Sequence, residues 1–422
     1  MLQLNTIRDQ KEEVLRRLTK KNFNTALIDQ VTAIDADRRK TQQELDALKA
    51  EANTISKQVG ELMKSGKKAE ADELKNKSVA LKESEKKLQD TLNRFEEETH
   101  QLLVQIPNIA NDQVPPGKTP EENKVVFEHG EMPVLAADAK PHWELAAQYD
   151  LIDFELGNKI TGAGFPVYKG KMARLQRALI NFFLDRAMQA GYLEIQPPIV
   201  INKDSGFGTG QLPDKEGQMY HVGLDDLYLI PTAEVPITNI YRDVILKAED
   251  FPIKNCGYTP CFRREAGSYG AHVRGLNRLH QFDKVEIVQI AHPSKSYETL
   301  EEMRQYVAGL LKELELPFRT LLLCGGDMSF ASAMTYDMEV FSGAQKKWLE
   351  VSSVSNFESF QANRLKLRFR EGSEKPQLAH TLNGSALALP RIVAALLENN
   401  QTDKGIKVPK VLIPYTGFDM IS

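Results

Sequence analysis

Two long heptad segments joined by a short polar break constrain the fold of this chain more than any other feature. Mostly apolar residues recur at alternating spacings of three and four, as they do along the seam of a coiled coil. Neither segment contains proline, so each predicts a helix of nearly forty residues, about 55 Å long at 1.5 Å per residue. The seam positions are Val31, Ile34, Arg38, Thr41, Leu45, Leu48, Ala52, Ile55, Val59 and Leu62, then Leu74, Ser78, Leu81, Glu85, Leu88, Leu92, Phe95, Thr99 and Leu102.

The break between the segments, Ser65-Gly66, predicts that the two helices run antiparallel. Each has one narrow apolar seam and polar surface elsewhere, so the pair buries its seams against each other and otherwise stands in water as an arm. The same pattern also fits an oligomerisation coiled coil, because heptads report packing and not purpose. Lysines cluster at the turn, and they are either simply solvated or placed to attract phosphate. They are Lys64, Lys67, Lys68, Lys75 and Lys77.

The 422 residues are too many for one ordinary core and predict two or three domains. Residues 1 to about 25 are polar and helix-prone, which predicts a short helix. Pro107 to Pro120 is rich in proline and predicts a linker. No apolar run reaches the roughly 20 residues of a membrane span, and the first residues lack the apolar stretch of a signal peptide. A cytoplasmic location is therefore expected.

The remaining composition limits cofactors and partners. Three cysteines without paired C-x-x-C spacing predict reduced thiols and no zinc site. A net charge of −4 argues against a generally basic nucleic-acid-binding surface, so any RNA contact must come from local patches.

Beyond the linker, helical and extended patterns alternate along the chain. Ala173–Ala190 predicts a helix ended by Gly191. Tyr192–Ile201 predicts a strand that Pro197-Pro198 interrupts and confines to an edge or an interface. Further predicted elements are strands at Leu227–Ile230 and Phe318–Cys324, a helix at Leu300–Leu316, and a strand running into a helix over His380–Arg391.

The chemistry of the chain centres on a predicted antiparallel hairpin. Its first strand ends in Phe262-Arg263-Arg264-Glu265-Ala266-Gly267, and its second runs over Leu279–Ile287. The connection, Gly267 to Asn277, holds three glycines and predicts a polar loop. By strand alternation Arg263 and Glu265 share one face of the first strand, and Phe282, Lys284 and Glu286 share one face of the second. If those faces coincide, an arginine, two carboxylates and an aromatic ring line one concave surface. Such a surface suits a nucleotide and a charged small molecule, although any one of these residues alone fits an exposed salt-bridged hairpin.

The stretch FRREAGSYGAHVRGLNRLHQFDKVE, Phe262 to Glu286, resembles the second motif of class II aminoacyl-tRNA synthetases, and in particular the seryl-tRNA synthetases of bacterial and eukaryotic type. The Ala173–Ile201 region resembles the first motif, which builds the dimer contact in that class, and His380–Arg391 resembles the third. One departure is that Gly162-Ala163-Gly164-Phe165 stands where the family usually has an arginine after a glycine pair.

The resemblance implies the α+β fold class, with an N-terminal tRNA-binding domain over residues 1–108 that carries a coiled-coil arm at about 27–103. A linker over 109–125 follows, and then a class II catalytic domain over 126–422 with a mostly antiparallel sheet flanked by helices. The resemblance also implies the site residues. Arg263, Glu286 and Arg391 are the implied catalytic residues. The implied serine-binding residues are Thr232, Ala233, Glu234, Arg263, Glu286, Asn383 and Ser385. The implied ATP-binding residues are Arg263, Arg264, Glu265, Arg278, Leu279, Phe282, Glu350, Val351, Ser352, Ser353 and Arg391, with Glu350 and Ser353 beside Mg²⁺.

The implied activity is ATP-dependent activation of serine and its transfer to the 3′ end of tRNA-Ser, with tRNA-Sec as a second candidate substrate. The implied assembly is a homodimer. Two alternatives stay open: a synthetase paralogue that loads something other than tRNA, and a catalytically inactive RNA-binding homologue.

Overall fold

The computed structural model describes residues 1–265 and 274–422, which divide into two compact units. The first unit is Met1–Thr19 with Phe23–Pro107, and the second is Lys20–Asn22 with Asn108–Ser422. No helix in the described ranges is long and apolar enough to cross a membrane.

The first unit is helical. Its helices are α1 (Leu4–Asp9), α2 (Lys11–Thr19), α3 (Ala26–Lys64) and α4 (Lys68–Leu103). The prediction of one short helix before residue 25 is wrong in number, because Gln10 leaves the helical conformation (φ −131°, ψ 37°) and separates α1 from α2. The predicted long hairpin is confirmed as α3 and α4, and the turn between them includes Gly66 at φ +76°.

The predicted seam is the buried stripe of this hairpin. Val31, Thr41, Leu45, Ile55, Leu92 and Thr99 are buried, and the other predicted seam positions are half-buried. Asp35 is also buried, which the heptad pattern does not predict. Its carboxylate accepts ion pairs from Arg38 (2.9 Å) and Arg8 (3.5 Å), so the buried charge is compensated.

The second unit combines helices with several sheets. Its helices are α5 (His142–Gln148), α6 (Phe154–Ile160), α7 (Gly170–Gln189), α8 (Lys203–Thr209), α9 (Glu234–Asn239), α10 (Ser296–Glu313), α11 (Ser359–Leu365), α12 (Leu389–Asn399) and α13 (Ile413–Thr416). Its strands are β1 (Lys124–His129), β2 (Ile152–Asp153), β3 (Val167–Tyr168), β4 (Leu193–Glu194), β5 (Val200–Ile201), β6 (His221–Val222), β7 (Leu227–Leu229), β8 (Ile245–Lys247), β9 (Ile253–Phe262), β10 (Gln281–Ala291), β11 (Phe318–Leu322), β12 (Met334–Ser342), β13 (Lys347–Asn356), β14 (Arg368–Arg370), β15 (Gln377–Leu378), β16 (His380–Ala388), β17 (Gln401–Thr402), β18 (Gly405–Lys407) and β19 (Met420–Ile421).

The main sheet has eight described strands in the order β1-β11-β12-β13-β16-β10-β9-β4. All neighbours in it are antiparallel except β4 and β9, so the predicted α+β class with a mostly antiparallel sheet is confirmed. Helices α7, α10 and α12 pack against it. The predicted hairpin is β9 paired with β10, in a register that sets Glu286 opposite Gly257. On its other side β10 pairs with β16, where Glu286 is opposite Ser385.

The predicted strand over Tyr192–Ile201 is divided at Pro197-Pro198, as the prolines indicate. Pro197-Pro198 interrupt it, since proline has no N–H to continue a ladder. The part before the prolines, β4, is an edge strand of the main sheet, and the part after them, β5, pairs with β7 in a separate small sheet.

The proline-rich segment between α4 and β1 contains neither helix nor strand from Val104 to Thr119, as expected for a linker. Its first residues nevertheless pack tightly, because Ile109, Ala110 and Val114 are buried. The side-chain amide of Asn108 donates to the carbonyls of Ala331 (2.9 Å) and Phe357 (2.8 Å). The domain bounds at 108, 125 and 126 stay predictions.

Candidate active site

A pocket of two buried carboxylates lies where β10, β16 and the start of α9 meet. Asn383 on β16 donates from Nδ2 to Glu234 Oε2 (2.8 Å) and to Glu286 Oε1 (3.1 Å), so one amide bridges both acids. Ser385, two residues further along the same strand, donates to Glu286 Oε2 (3.4 Å). Lys284 Nζ lies 2.6 Å from the same oxygen. The sequence-predicted residues Glu234, Glu286, Asn383 and Ser385 are therefore in one cluster.

Burial and mutual repulsion shape the electrostatics of this pocket. Burial, followed by the negative charge of Glu286, raises the pKa of Glu234 to about 7. A hydrogen bond from Gln361 and the charges of Lys284 and Arg263 oppose the shift. The ionised form of Glu234 is thus disfavoured by its burial and by the neighbouring carboxylate of Glu286. A small cation entering here would favour the ionised state.

Gln361 on α11 is a pocket residue that the sequence motifs do not identify. Its Nε2 donates to Glu234 Oε1 (2.7 Å) and to the carbonyl of Thr209 (3.1 Å), while its Oε1 accepts from Thr381 Oγ1 (2.6 Å). These bonds fix the carboxylate of Glu234. Lys284 was visible in the hairpin motif, but its position on Glu286 was not predicted.

The turn before α9 presents Thr232 and Ala233, both buried. Thr232 Oγ1 accepts from the N–H of Glu234 (3.3 Å), so the hydroxyl satisfies the first N–H of the helix.

Arg263 and Phe282 meet at the open end of the β9–β10 hairpin. The guanidinium of Arg263 lies over the Phe282 ring, 5.4 Å from its centroid, and its Nε donates to the carbonyl of Pro231 (3.4 Å). Glu265 pairs with Arg278 Nη1 at 3.1 Å. The strand-alternation argument for Arg263 and Glu265 is wrong, because β9 ends at Phe262 and Glu265 has φ +47°.

Part of the predicted motif lies outside the described residues. It comprises Ala266, Gly267 and the loop as far as Val273.

A third group of predicted residues joins β13 to α12. Arg391 donates from Nη1 to the carbonyl of Glu350 (2.8 Å) and lies 3.5 Å from its carboxylate. Val351 is in the hydrophobic core, so any contact it makes with ATP would use its backbone. Ser352 is buried and donates to the carbonyl of Ser385 (2.6 Å).

Two other predicted ATP-binding residues have local roles. Leu279 is buried, and the N–H of Arg264 donates to the carbonyl of Gln218 (2.9 Å).

Asp337 on β12 extends this group and was missed at the level of sequence. It lies opposite Ser353 and is hydrogen-bonded to it. Burial and then the charge of Glu350 raise its pKa well above the ordinary range. Its Oδ1 is buried without a hydrogen-bond partner among the described residues. Two carboxylates and a hydroxyl, one oxygen unsatisfied, form a hard-oxygen donor set of the kind that Mg²⁺ uses together with substrate oxygens. The described residues contain no group of three or more His, Cys, Asp or Glu arranged around a metal.

The segment that departs from the family pattern packs on the hairpin. The carbonyl of Gly164 accepts from the N–H of His280 (2.9 Å), and the Phe165 ring stacks on the His280 ring with centroids 5.5 Å apart. A Cβ at Gly164 would lie 2.2 Å from the His280 ring, which accounts for glycine there. Tyr220 Oη is 2.9 Å from His280 Nδ1. The start of β10 is thus supported from two sides.

Family models match both parts of the chain. The seryl-tRNA synthetase N-terminal domain matches residues 1–110, and the class II tRNA synthetase core domain (G, H, P, S and T) matches residues 220–400.

Curated relatives and solved structures agree with these matches. The serine–tRNA ligase of Salinibacter ruber is 50% identical over 424 residues, covering 100% of this chain and 99% of the relative. That of Chlorobium luteolum is 47% identical, with the same coverage. The crystal structure of seryl-tRNA synthetase from Pyrococcus horikoshii complexed with ATP superposes with a TM-score of 0.95 at 33% identity, over 100% of this chain and 99% of that one. The cytoplasmic serine–tRNA ligase of Naegleria fowleri in complex with AMP gives 0.90 at 27% identity, with the same coverage.

Proposed function

The chain belongs to the seryl-tRNA synthetase family, and we propose on this basis that it is a serine–tRNA ligase. It activates L-serine with ATP to give seryl adenylate and pyrophosphate, and transfers the seryl group to the 3′ end of tRNA-Ser. The observation that carries the proposal is the pair of buried carboxylates, Glu234 and Glu286, bridged by Asn383 in a chain that matches serine–tRNA ligases over its full length.

The carboxylate pocket is the proposed serine site. The ammonium group of serine would supply the positive charge that the two acids lack, with Thr232 and Glu286 as its hydrogen-bond acceptors. The hydroxyl would bond with Glu286 and Ser385. Asn383 and Gln361 hold the acids at the spacing observed here. Ala233 and Glu234 complete the wall at the start of α9.

ATP is proposed to bind along the hairpin between Arg263 and Arg391. Arg263 would bridge the α-phosphate and the serine carboxylate, because a guanidinium can fork onto both anions. Glu265 would accept from the adenine edge, while Phe282 and Arg391 would enclose the ring. In that arrangement Arg263 leaves the Phe282 face and Glu265 exchanges Arg278 for adenine. Arg278 and Arg391 would face the β- and γ-phosphates, and Arg264, Leu279 and residues 350–353 would line the remainder.

Magnesium is the proposed cofactor, bound with ATP by Glu350 and Ser353. It would screen phosphate charge during adenylate formation. The unsatisfied oxygen of Asp337 beside Ser353 supports a cation in this corner. No zinc is expected.

Catalysis requires no side-chain nucleophile. The serine carboxylate attacks the α-phosphate, and the 3′-terminal ribose hydroxyl then attacks the acyl carbon and displaces AMP. The protein's role is to hold the reactants in line and to stabilise developing charge, which here falls to Arg263, Arg391 and Glu286.

Selectivity for serine would come from its hydroxyl. Alanine cannot make the hydrogen bonds proposed between the hydroxyl and Glu286 and Ser385, and in such sites that loss costs up to about 10⁴-fold in kcat/KM. Threonine keeps the hydroxyl and adds a methyl group, so it must be excluded by shape.

The arm is proposed to bind tRNA through local positive charge at its tip, and the enzyme is proposed to act as a cytoplasmic homodimer. The expected dimer contact is the Ala173–Ile201 region, where β4 is an edge strand. tRNA-Sec is a second candidate tRNA.

The test is serine-dependent ATP–pyrophosphate exchange followed by charging of tRNA-Ser. Exchange and charging together are expected. Exchange with no charging of any tRNA would indicate a paralogue, and tRNA binding without exchange would indicate an inactive RNA-binding homologue.

A further inference from the structure

A polar cluster of the second unit, centred on His142 and Glu398, is buried apart from the carboxylate pocket. Both residues have no exposed surface. The Glu398 carboxylate accepts from the His142 backbone N–H (2.9 Å), Gln345 Nε2 (2.8 Å) and the Ser342 hydroxyl. It also pairs with His142 Nδ1 (2.8 Å). Burial alone would raise the pKa of Glu398, but the bonds from His142 and Ser342 outweigh it and hold that pKa below the ordinary value.

The cluster holds the short segment Arg274–Arg278 that leads into β10. The N–H of Leu276 donates to His142 Nε2 (2.8 Å), which assigns the ring proton to Nδ1 and makes it the donor to Glu398. Gly275 lies so close that a Cβ would be 2.3 Å from Nε2. Asn277 Nδ2 donates to Gln345 Oε1 (3.0 Å). Gln345 therefore connects Glu398 to Asn277 through a single side chain.

The held segment contacts one of the proposed ATP-binding arginines, Arg391, and contains another, Arg278. The carbonyl of Asn277 accepts from Arg391 Nε (3.1 Å), and the next residue, Arg278, pairs with Glu265 (3.1 Å). A chain of direct contacts therefore runs from Glu398 through Gln345 and Asn277 to Arg391. Each step is a hydrogen bond of ordinary length, and Asn277 is 6% exposed, so water competes little for these bonds.

We propose that Gln345, backed by the His142–Glu398 pair, is a positioning residue for ATP. It fixes the Asn277 peptide and thereby the directions of Arg391 and Arg278. The inference rests on the proposed function, from which it takes the ATP roles of those arginines. The bonds of Gln345 and Asn277 lead to Arg391, which is proposed to bind ATP, so we expect the effect to fall on the nucleotide.

The test removes the same hydrogen bond from each end. Gln345→Met keeps the length of the side chain and leaves Glu398 bonded to His142 and Ser342. Asn277→Ala keeps the carbonyl that accepts from Arg391. Each is expected to raise the KM for ATP in serine-dependent exchange about 3- to 10-fold while the KM for serine stays within about twofold. Gln345→Met also removes the bond from Gln345 to Glu398, but both variants remove the bond between Asn277 and Gln345, so the double variant should show no larger change in the KM for ATP than the stronger single variant.

Gln289→Met is the matched control. Gln289 is buried, donates to Tyr192 Oη (2.8 Å), and alternates onto the face of β10 opposite to Glu286. Gln289→Met should lower the urea midpoint of unfolding without changing the KM for ATP. An unchanged KM for ATP in both test variants, or a parallel rise in both KM values, overturns the inference. If either test variant does not fold, the other decides. A wild-type enzyme without serine-dependent exchange would instead refute the proposed function.

Discussion

At the scale of single residues, the carboxylate pocket makes Glu286 the group on which serine binding depends most. It is fully buried and contacts Asn383, Ser385 and Lys284. We expect Glu286→Gln to lower kcat/KM for serine by about 100-fold, since a hydrogen bond to a charged group is worth roughly 1.5–3 kcal/mol. The measurement is serine-dependent exchange at varied serine concentration.

Asp283→Asn is the control for that substitution. Asp283 lies three residues earlier on the same strand and accepts from Tyr258 Oη (2.8 Å). It should leave the KM for serine unchanged. An unchanged KM for serine in Glu286→Gln would refute the serine role of Glu286.

The raised pKa of Glu234 makes a prediction about pH. The ionised carboxylate favours the ammonium of serine, and its pKa is about 7. As pH falls below 7 Glu234 takes up a proton, so the KM for serine should rise by up to about tenfold per pH unit. Glu234→Gln should have a high KM throughout and lose this dependence. A wild-type KM that stays flat between pH 6 and about 8 would contradict the assignment.

The same shift affects stability in the opposite direction. Folded Glu234 binds its proton more tightly than the unfolded chain does, because its pKa rises from 4.5 to about 7. Its contribution to the free energy of unfolding is therefore present below pH 4.5 and is lost as pH rises through 7.

Site residues that stand within contiguous motifs could be found from the sequence. The residues that contact them from elsewhere in the chain could not. Arg263, Glu286, Asn383 and Ser385 stand in recognisable stretches. Gln361 and Asp337 act through contacts that form only on folding, and no spacing along the chain relates them to their partners. The positive φ of Glu265 likewise has no marker in the sequence, since it depends on how the chain leaves β9.

At the scale of elements, the lysines at the tip of the arm are either simply solvated or form a phosphate-binding patch, and an experiment can distinguish the two. Lys64, Lys67 and Lys68 are exposed, and Lys67 lies 3.1 Å from Glu70, so the patch is partly neutralised. Replacing all three by alanine should weaken tRNA binding and reduce the slope of log Kd against log salt by up to about 0.7–0.9 per lost phosphate contact. The measurement is tRNA binding across a salt series.

The control replaces Lys82, Lys86 and Lys87, which are exposed on α4 away from the turn. It removes the same charge and should leave the slope closer to wild type. Equal effects of the two triple variants would show that net charge, and not the tip, attracts the tRNA.

Long periodic elements were predictable because their period is repeated many times. The seam of α3 and α4 extends over about ten heptads in all, so a few polar members such as Thr41 and Glu85 do not hide it. Short elements lack that redundancy. The sequence predicts residues 192–201 as one interrupted strand, yet its two halves join different sheets. The first half pairs with β9 and the second with β7, and both partners are distant in sequence.

At the scale of the whole molecule, the two compact units divide the proposed reaction between them. All residues proposed for serine, ATP and Mg²⁺ lie within Asn108–Ser422, and the α3–α4 arm lies within Phe23–Pro107. In the proposed mechanism, adenylate formation uses only the residues within Asn108–Ser422. Transfer needs the tRNA to be held as well, so the two steps should be separable by changes in the arm.

Deletion of the arm tests that division. Replacing residues 31–102 by a short Gly/Ser linker is possible because α3 and α4 form an antiparallel hairpin whose ends are neighbours. If the arm grips tRNA, the shortened enzyme should keep serine-dependent exchange and lose charging of tRNA-Ser, and light scattering should report the same oligomeric state as wild type. If the arm is instead an oligomerisation coiled coil, deletion should give monomers and exchange should fall with the dimer. Exchange lost together with the dimer would therefore refute the tRNA role. The residues proposed for serine activation all lie outside the deleted segment, so a loss of exchange would show that the arm is needed for assembly of the dimer.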